Sequence, residues 1–287
     1  MAQSDTETGT TGGKVLSERD HMGGLESVTL RVERIARPVP SVARVIGIIE
    51  TQTPAIWAAV NVAIRIELEP GSGPRPVSRV YTLRSFDPET RRTEIDFVLH
   101  DDDTPAMRWL NAAGPGTEVM ITGPRPHAGT FQRPGHPSAV FADETAVPAL
   151  VTILAAWPKD APGLVVVESA DRAAFDELVI PAGVEARLIL RAPDEPAGAS
   201  GHLIRAAKAL DPAQDWTIWA AGERVEMREI RSHFLAAGIA RGHLFVEGYW
   251  KRGTSSTDID RARLAHYEAL VAAGKGLAEF EDSELAL

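Results

Sequence analysis

The chain has 287 residues, no cysteine and a formal net charge of −10. That length suits one large domain or two ordinary ones. The lack of thiols excludes disulfides, thiolate metal sites and cysteine nucleophiles, and the acidic balance excludes the broad basic footprint of a nucleic-acid binder. Residues 1–22, opening MAQSDTETGTTGGK, carry neither the basic nor the apolar region of a signal peptide and read as a flexible tail. No apolar run is long enough to span a bilayer. The expectation is a cytoplasmic protein bound to neither membrane nor nucleic acid.

From about Ser27 to Thr122 the apolar period is two. SVTLRVERI, ARVIGIIE, AIRIELE, RVYTLRSF, TEIDFVLH and EVMIT read as six strands, separated by turn material such as EPGSGPRP and FDPET. One short helix is expected in TPAMRWLNAA, with Pro105 in its first turn. Residues 23–130 thus predict a six-stranded antiparallel barrel. The Pro- and Gly-rich stretch GPRPHAGTFQRPGHPS marks a boundary, after which the rhythm changes. AVFAD, GLVVVES, ARLIL, WTIWA and HLFVEG alternate with helical segments, so residues 131–253 predict an α/β domain on a parallel sheet. Residues 254–287 form a C-terminal helical extension in which Leu264, Tyr267 and Val271 share one face.

RVYTLRSF spans Arg79 to Phe86. Strand alternation turns Arg79 and Tyr81 one way and Val80 and Thr82 the other. A planar guanidinium pairs with phosphate, a tyrosine ring packs on an aromatic face, and a hydroxyl can hydrogen-bond a polar ring edge. Four residues therefore hold all three functions that an anionic, flat, polar-edged nucleotide requires. An ordinary barrel strand, with Arg79 in solvent and Tyr81 in the core, satisfies the same tetrapeptide.

RVYTLRSFDPETRRTEIDFVLH resembles the flavin-binding segment of the siderophore-interacting protein family, a branch of the ferredoxin reductase superfamily. ADETAVPAL, AAGERVEMREIRSHF and GYWKRG resemble later motifs of that family, in the same order. The resemblance implies an FAD-dependent reductase that takes electrons from NAD(P)H and releases iron from a ferric siderophore by reducing it. It places Arg79 on the FAD phosphates and Tyr81 and Thr82 at the isoalloxazine. Asp96, Phe97, Val98, Leu99 and His100 would run along the ribityl and pyrophosphate. Ala106, Arg108 and Trp109 would belong to a helix start that receives phosphate. Asp143, Thr145 and Ala146 would close the flavin from the second domain. Ala221, Gly222 and Glu223 lie at a strand end, where they would meet the nicotinamide donor or simply begin a helix.

Anionic siderophores call for a basic mouth, and Arg65, Arg125, Lys251 and Arg252 stand at the family positions for one. His100-Asp101-Asp102-Asp103 reads as a solvated turn, and no residue spacing predicts a protein-bound metal. One segment departs from the family. DDDTPAM replaces a glycine- and serine-bearing turn, setting carboxylates where a pyrophosphate would lie unless they point to solvent. Two alternatives therefore stand beside the main expectation: a reductase of the same fold fed by ferredoxin, and a non-enzymatic siderophore- or ligand-binding protein with weakened flavin binding.

Overall fold

A computed structural model describes residues 24–69, 76–100, 102–127, 131–192, 194–211 and 213–274. The expected N-terminal tail lies outside them, as does Asp101. Six strands close a barrel in the order β1-β2-β5-β4-β3-β6. They are β1 (Glu26–Val39), β2 (Val42–Ile49), β3 (Val62–Glu69), β4 (Val77–Phe86), β5 (Arg92–Val98) and β6 (Glu118–Pro126). All six sequence segments form strands because each alternates inward apolar and outward polar residues. Leu30, Val45, Ile66, Ile95, Phe97 and Ile121 fill the interior and are fully buried. The β4–β5 hairpin turns at Asp87, whose carboxylate accepts from the backbone N–H of Glu89 and from the Thr90 hydroxyl. A short helix, α1 (Pro54–Trp57), was not expected from the sequence. Its four residues are too few to show a helical period, yet Trp57 is fully buried. Helix α2 (Pro105–Ala112) follows β5 and is capped by Thr104, whose hydroxyl accepts from Met107 N–H.

The second part is a five-stranded parallel sheet ordered β11-β10-β7-β8-β9. Its strands are β7 (Ser138–Asp143), β8 (Gly163–Ser169), β9 (Val184–Leu190), β10 (Thr217–Glu223) and β11 (Leu244–Trp250). The intervening helices are α3 (Val147–Ala155), α4 (Arg172–Asp176), α5 (His202–Lys208) and α6 (Arg224–Ala236). Alternation along β7 shows both faces covered. Val140 and Ala142 pack with α3, while Ala139 and Phe141 pack with α5 and α6. A C-terminal helix, α7 (Ser256–Ala272), follows β11. The side chains of Leu264 and Tyr267 lie outside the described set, so their shared face is not seen. Among the described residues, no helix is long and apolar enough to cross a membrane.

Barrel and sheet meet through polar contacts. Arg44 of β2 binds Asp96 of β5 through two nitrogens, at 2.6 and 3.0 Å, and reaches Glu177 just beyond α4 at 2.8 Å. Arg84 of β4 also holds Asp96, at 3.0 Å. Asn61 N–H donates to the Thr152 hydroxyl of α3 at 3.0 Å, and Ser41 N–H donates to Asp171 at 3.0 Å.

Candidate flavin seat and the adjoining sheet crevice

The barrel is closed, but one seam is splayed. β4 pairs with β5 only through Leu83–Ile95, Ser85–Glu94 and Phe86–Thr93. The first half of β4 continues on β3, and the second half of β5 on β2. Between Val77–Thr82 and Asp96–Val98 the two strand edges therefore carry no mutual ladder. Such an edge offers peptide groups to a ligand, since an unpaired peptide group needs a partner. Aromatic rings line this part of the barrel. Tyr81 and Phe97 have centroids 4.1 Å apart, and Phe97 and Trp109 stack at 5.6 Å with 18° between planes. Burial pushes the Tyr81 phenol above its ordinary range, against the opposing pull of Arg79.

Arg79 and Tyr81 face the same side as Ile66 and Ile64, their partners on β3. Thr82 faces the other side, opposite Ala63. Ala63 in turn pairs with Arg125 of β6, and Arg65 lies two residues along β3. Two of the four expected cations, Arg65 and Arg125, thus share the outer barrel face with Thr82. The Arg65 guanidinium donates to the Ser78 hydroxyl at 3.0 Å. The Arg79 guanidinium donates to Ser78 O at 2.8 Å and to the Thr257 hydroxyl, in the first turn of α7, at 3.0 Å.

The other residues of the sequence-based set divide into two groups. Asp96 is buried and committed to Arg44 and Arg84. Arg108 pairs with Glu69 at 2.6 Å and with Asp103 at 3.0 Å, on the exposed side of α2. Both side chains are taken up by these ion pairs. Phe97 is core, while Leu99 packs on that core and donates its N–H to Ser41 O. Val98 is half-buried and His100 exposed. At the start of α2, Pro105 has no N–H, and those of Met107 and Arg108 go to Thr104. Ala106 is buried in the barrel core. Asp102 and Asp103 have side chains 88% and 80% exposed, so these two carboxylates do turn to solvent. Met107 is buried in the barrel core.

The carboxyl end of the parallel sheet supplies the second half of the site. Strand order reverses between β7 and β10, and ligands of open α/β sheets bind outside such a switch point. Asp143 ends β7, Glu223 ends β10 and Trp250 ends β11. Trp250 Nε1 donates to Asp143 Oδ2 at 2.7 Å. Asp143 Oδ1 accepts from the N–H and hydroxyl of Thr145, at 2.9 and 2.5 Å. Burial, reinforced by the neighbouring Glu144 charge, pushes the Asp143 carboxyl up to about 7. Gly222 makes this approach possible, because a Cβ there would stand 2.6 Å from Oδ2. Ala146 and Ala221 are fully buried beside these groups. The Glu223 carboxylate caps α6 by accepting from Val225 N–H at 2.6 Å and Glu226 N–H at 3.0 Å. It also accepts from Arg252 N–H at 3.2 Å.

One side chain that sequence reasoning did not single out joins the halves. It is that of Glu247, on β11, the strand that also carries Tyr249, whose ring packs on the sheet core. Glu247, two residues earlier on the same strand, pairs with His127 Nδ1 at 2.5 Å. Burial, and then the Glu247 charge, raise the Tyr249 phenol well above its ordinary range. GYWKRG flagged the end of this strand, but nothing in it says that Glu247, just before it, meets His127. Lys251 and Arg252 follow directly, Lys251 half-buried and Arg252 exposed.

The donor set fits a flavin nucleotide: a guanidinium, an aromatic face and a hydroxyl along an open strand edge, beside a switch-point crevice. Barrel and sheet together define a two-domain flavin reductase of the ferredoxin-reductase fold. A solved ferredoxin reductase from a carbazole 1,9a-dioxygenase shares that fold, with a TM-score of 0.59 at 16% identity over 79% of this chain and 70% of that one. Residues 28–128 match the siderophore-interacting FAD-binding domain, and residues 137–253 match the siderophore-interacting protein domain. The chain is 38% identical to the ferric acinetobactin reductase of Acinetobacter baumannii over 96% of each. A solved siderophore-interacting protein from Acinetobacter baumannii superposes with a TM-score of 0.82 at 37% identity, covering 86% of this chain and 99% of that one. The chain belongs to the siderophore-interacting protein family, and its barrel is that family's FAD-binding domain.

Proposed function

We propose that the protein is an FAD-dependent NAD(P)H:ferric-siderophore reductase that releases iron as Fe(II). The observation that carries this is the splayed β4–β5 seam with Arg79, Tyr81 and Thr82 along it, set against the sheet's switch point. Family membership supports the flavin, and the similarity to a ferric acinetobactin reductase supports the substrate class.

Bound FAD accepts electrons in pairs and releases them singly, which one-electron reduction of Fe(III) requires. The protein supplies binding and orientation. Arg79 pairs with phosphate, Tyr81 covers the ring, and Thr82 presents its hydroxyl to the ring's reactive edge. The stretch from Phe97 to His100 and the start of α2 at Ala106 line the remaining length. Asp143, Thr145 and Ala146 close the site from the sheet, and Ala221 to Glu223 border the donor crevice. Arg65, Arg125, Lys251 and Arg252 hold the anionic chelate at the mouth, so iron arrives inside its chelator. The working division is a barrel over residues 23–130, a donor domain over 131–253 and a C-terminal extension beyond. The reaction belongs to the cytoplasm, where reduced nicotinamide is available.

A second donor, reduced ferredoxin, is favoured by one observation. Trp250, Asp143 and the Gly198 loop fill the crevice from within, since a Cβ on Gly198 would meet Glu223 Cγ at 2.5 Å and Trp250 at 3.3 Å. A protein donor need not enter it. The deciding experiment follows flavin absorbance anaerobically with NADH, NADPH or reduced ferredoxin, then adds a ferric siderophore. Flavin that is reduced and reoxidises on that addition supports the assignment. Flavin that stays reduced removes the siderophore substrate, and a protein that takes up no FAD removes the enzyme.

A further inference from the structure

The first turn of α7 reaches back to the barrel. Arg79 Nη2 donates to the Thr257 hydroxyl at 3.0 Å, across 178 residues of chain. Arg79 Nη1 donates to the neighbouring Ser78 O at 2.8 Å. A guanidinium is planar and rigid. Anchors on both of its terminal nitrogens therefore set the tilt of the plane as well as its place. A hydrogen bond to Ser78 alone would fix one nitrogen and leave the plane to turn.

The turn that carries Thr257 is itself held. Ser255 caps it, its hydroxyl accepting from Asp258 N–H at 3.2 Å and donating to the Asp258 carboxylate at 2.7 Å. Arg261 holds the other oxygen of that carboxylate at 2.8 Å. Ile259, two residues beyond Thr257, is 4% exposed, so this end of α7 lies against the protein body. The two family domains end at residues 128 and 253, before this turn begins. The contact with Arg79 thus comes from a part of the chain to which neither domain assigns a role.

An arginine that receives phosphate works best with its fork already in place. A loose side chain gives up its rotamer freedom as the ligand arrives, and that loss is subtracted from affinity. A hydroxyl suits the holding role, because it orients the guanidinium without cancelling its charge, as a carboxylate would.

We infer, on the basis of the flavin seat proposed above, that Thr257 is a positioning residue for FAD. It sets the Arg79 fork for the phosphates, and the start of α7 is thereby part of the cofactor site.

The test is titration of the full chain with FAD, followed by flavin fluorescence, in a double-mutant cycle. Thr257→Val keeps the shape and removes the hydroxyl. The expected result is a Kd weakened about 3- to 10-fold. Thr257→Ser, which keeps the hydroxyl, should bind as the wild type does. Adding Thr257→Val to Arg79→Ala should change nothing further. A helix that merely loosens would weaken FAD equally in both backgrounds, and that result overturns the inference. So does an unchanged or tighter Kd in Thr257→Val, or a Thr257→Ser as weak as Thr257→Val. Thr257 is exposed, so equal melting temperatures are expected without FAD; if that of Thr257→Val falls, Thr257→Ala takes its place in the same cycle. An Arg79→Ala protein that binds FAD as tightly as the wild type defeats the phosphate placement, and the inference with it. A weakened Arg79→Ala beside an unchanged Thr257→Val defeats the inference alone.

Discussion

The indole of Trp250, the last residue of β11, donates to the buried carboxyl of Asp143, the last residue of β7. One strand, β10, lies between them, and it permits the contact only because Gly222 carries no side chain. The bond ties the outermost strand to the switch point and fixes a carboxyl whose proton affinity is unusually high.

That affinity makes stability depend on pH. The carboxyl is raised from 3.8 in an unfolded chain to about 7 in the fold, first by burial and then by Glu144. The folded state therefore binds the proton more tightly. Its contribution is full below about pH 4 and is lost as pH rises through about 7, by at most about 4 kcal/mol. Asp143→Asn should be less stable at low pH, because an amide cannot accept from both Trp250 and Thr145. It should also lose less between pH 4 and 8. Urea denaturation across that range checks both, and parallel profiles for the two proteins would refute the assignment.

Asp96 should matter for stability more than for flavin affinity. Its side chain is 3% exposed and held by Arg44 and Arg84. Asp96→Ala leaves both guanidiniums without their buried partner, at a cost of about 3–5 kcal/mol. Glu177→Gln, at the wetter end of the same network, should cost roughly 1 kcal/mol. Thermal unfolding with and without FAD separates the effects, since a pure stability role lowers both melting points together.

Arg79→Ala should weaken FAD binding by roughly 10- to 100-fold, the worth of a charge-assisted hydrogen bond. Arg79→Lys should recover part of this, because an ammonium keeps the charge and loses the fork. Titration followed by flavin fluorescence measures both. An affinity unchanged in Arg79→Ala would move the phosphates elsewhere along the seam.

The cation set should act on encounter rate. Arg125→Ala and Lys251→Ala should each slow reduction of an anionic ferric chelate a few-fold at low salt, and high salt should erase the difference. A neutral chelate should show little change. Stopped-flow reoxidation at two ionic strengths tests this, and equal slowing with both chelates would mean that the residues shape the site and not its field.

Local periodicity made most of the fold legible. Period-two runs produced all six barrel strands, and short apolar strands between helices produced the parallel sheet. The face of each residue in RVYT followed from alternation alone. What stayed hidden depends on distant pairing. Asp96 sits in a motif and invites a cofactor role, yet its partner Arg44 lies 52 residues away on a neighbouring strand. Arg108 likewise finds Glu69 only because α2 packs near β3. Glu247 stands just before a recognisable segment, but its meeting with His127 depends on how sheet and barrel dock. Thr257 gave no local signal of any kind.

The last strand also sets an order of events. Glu247, Trp250 and Thr257, which contact His127, Asp143 and Arg79, all lie within residues 247–257. Chains emerge from the ribosome N-terminus first, and domains tend to fold as units as they emerge. The barrel can therefore close while the strand edges of its seam still face water. These three contacts form only when residues 247–257 arrive. A nascent chain stalled before Glu247 would hold every barrel residue assigned to the flavin and none of these three clasps.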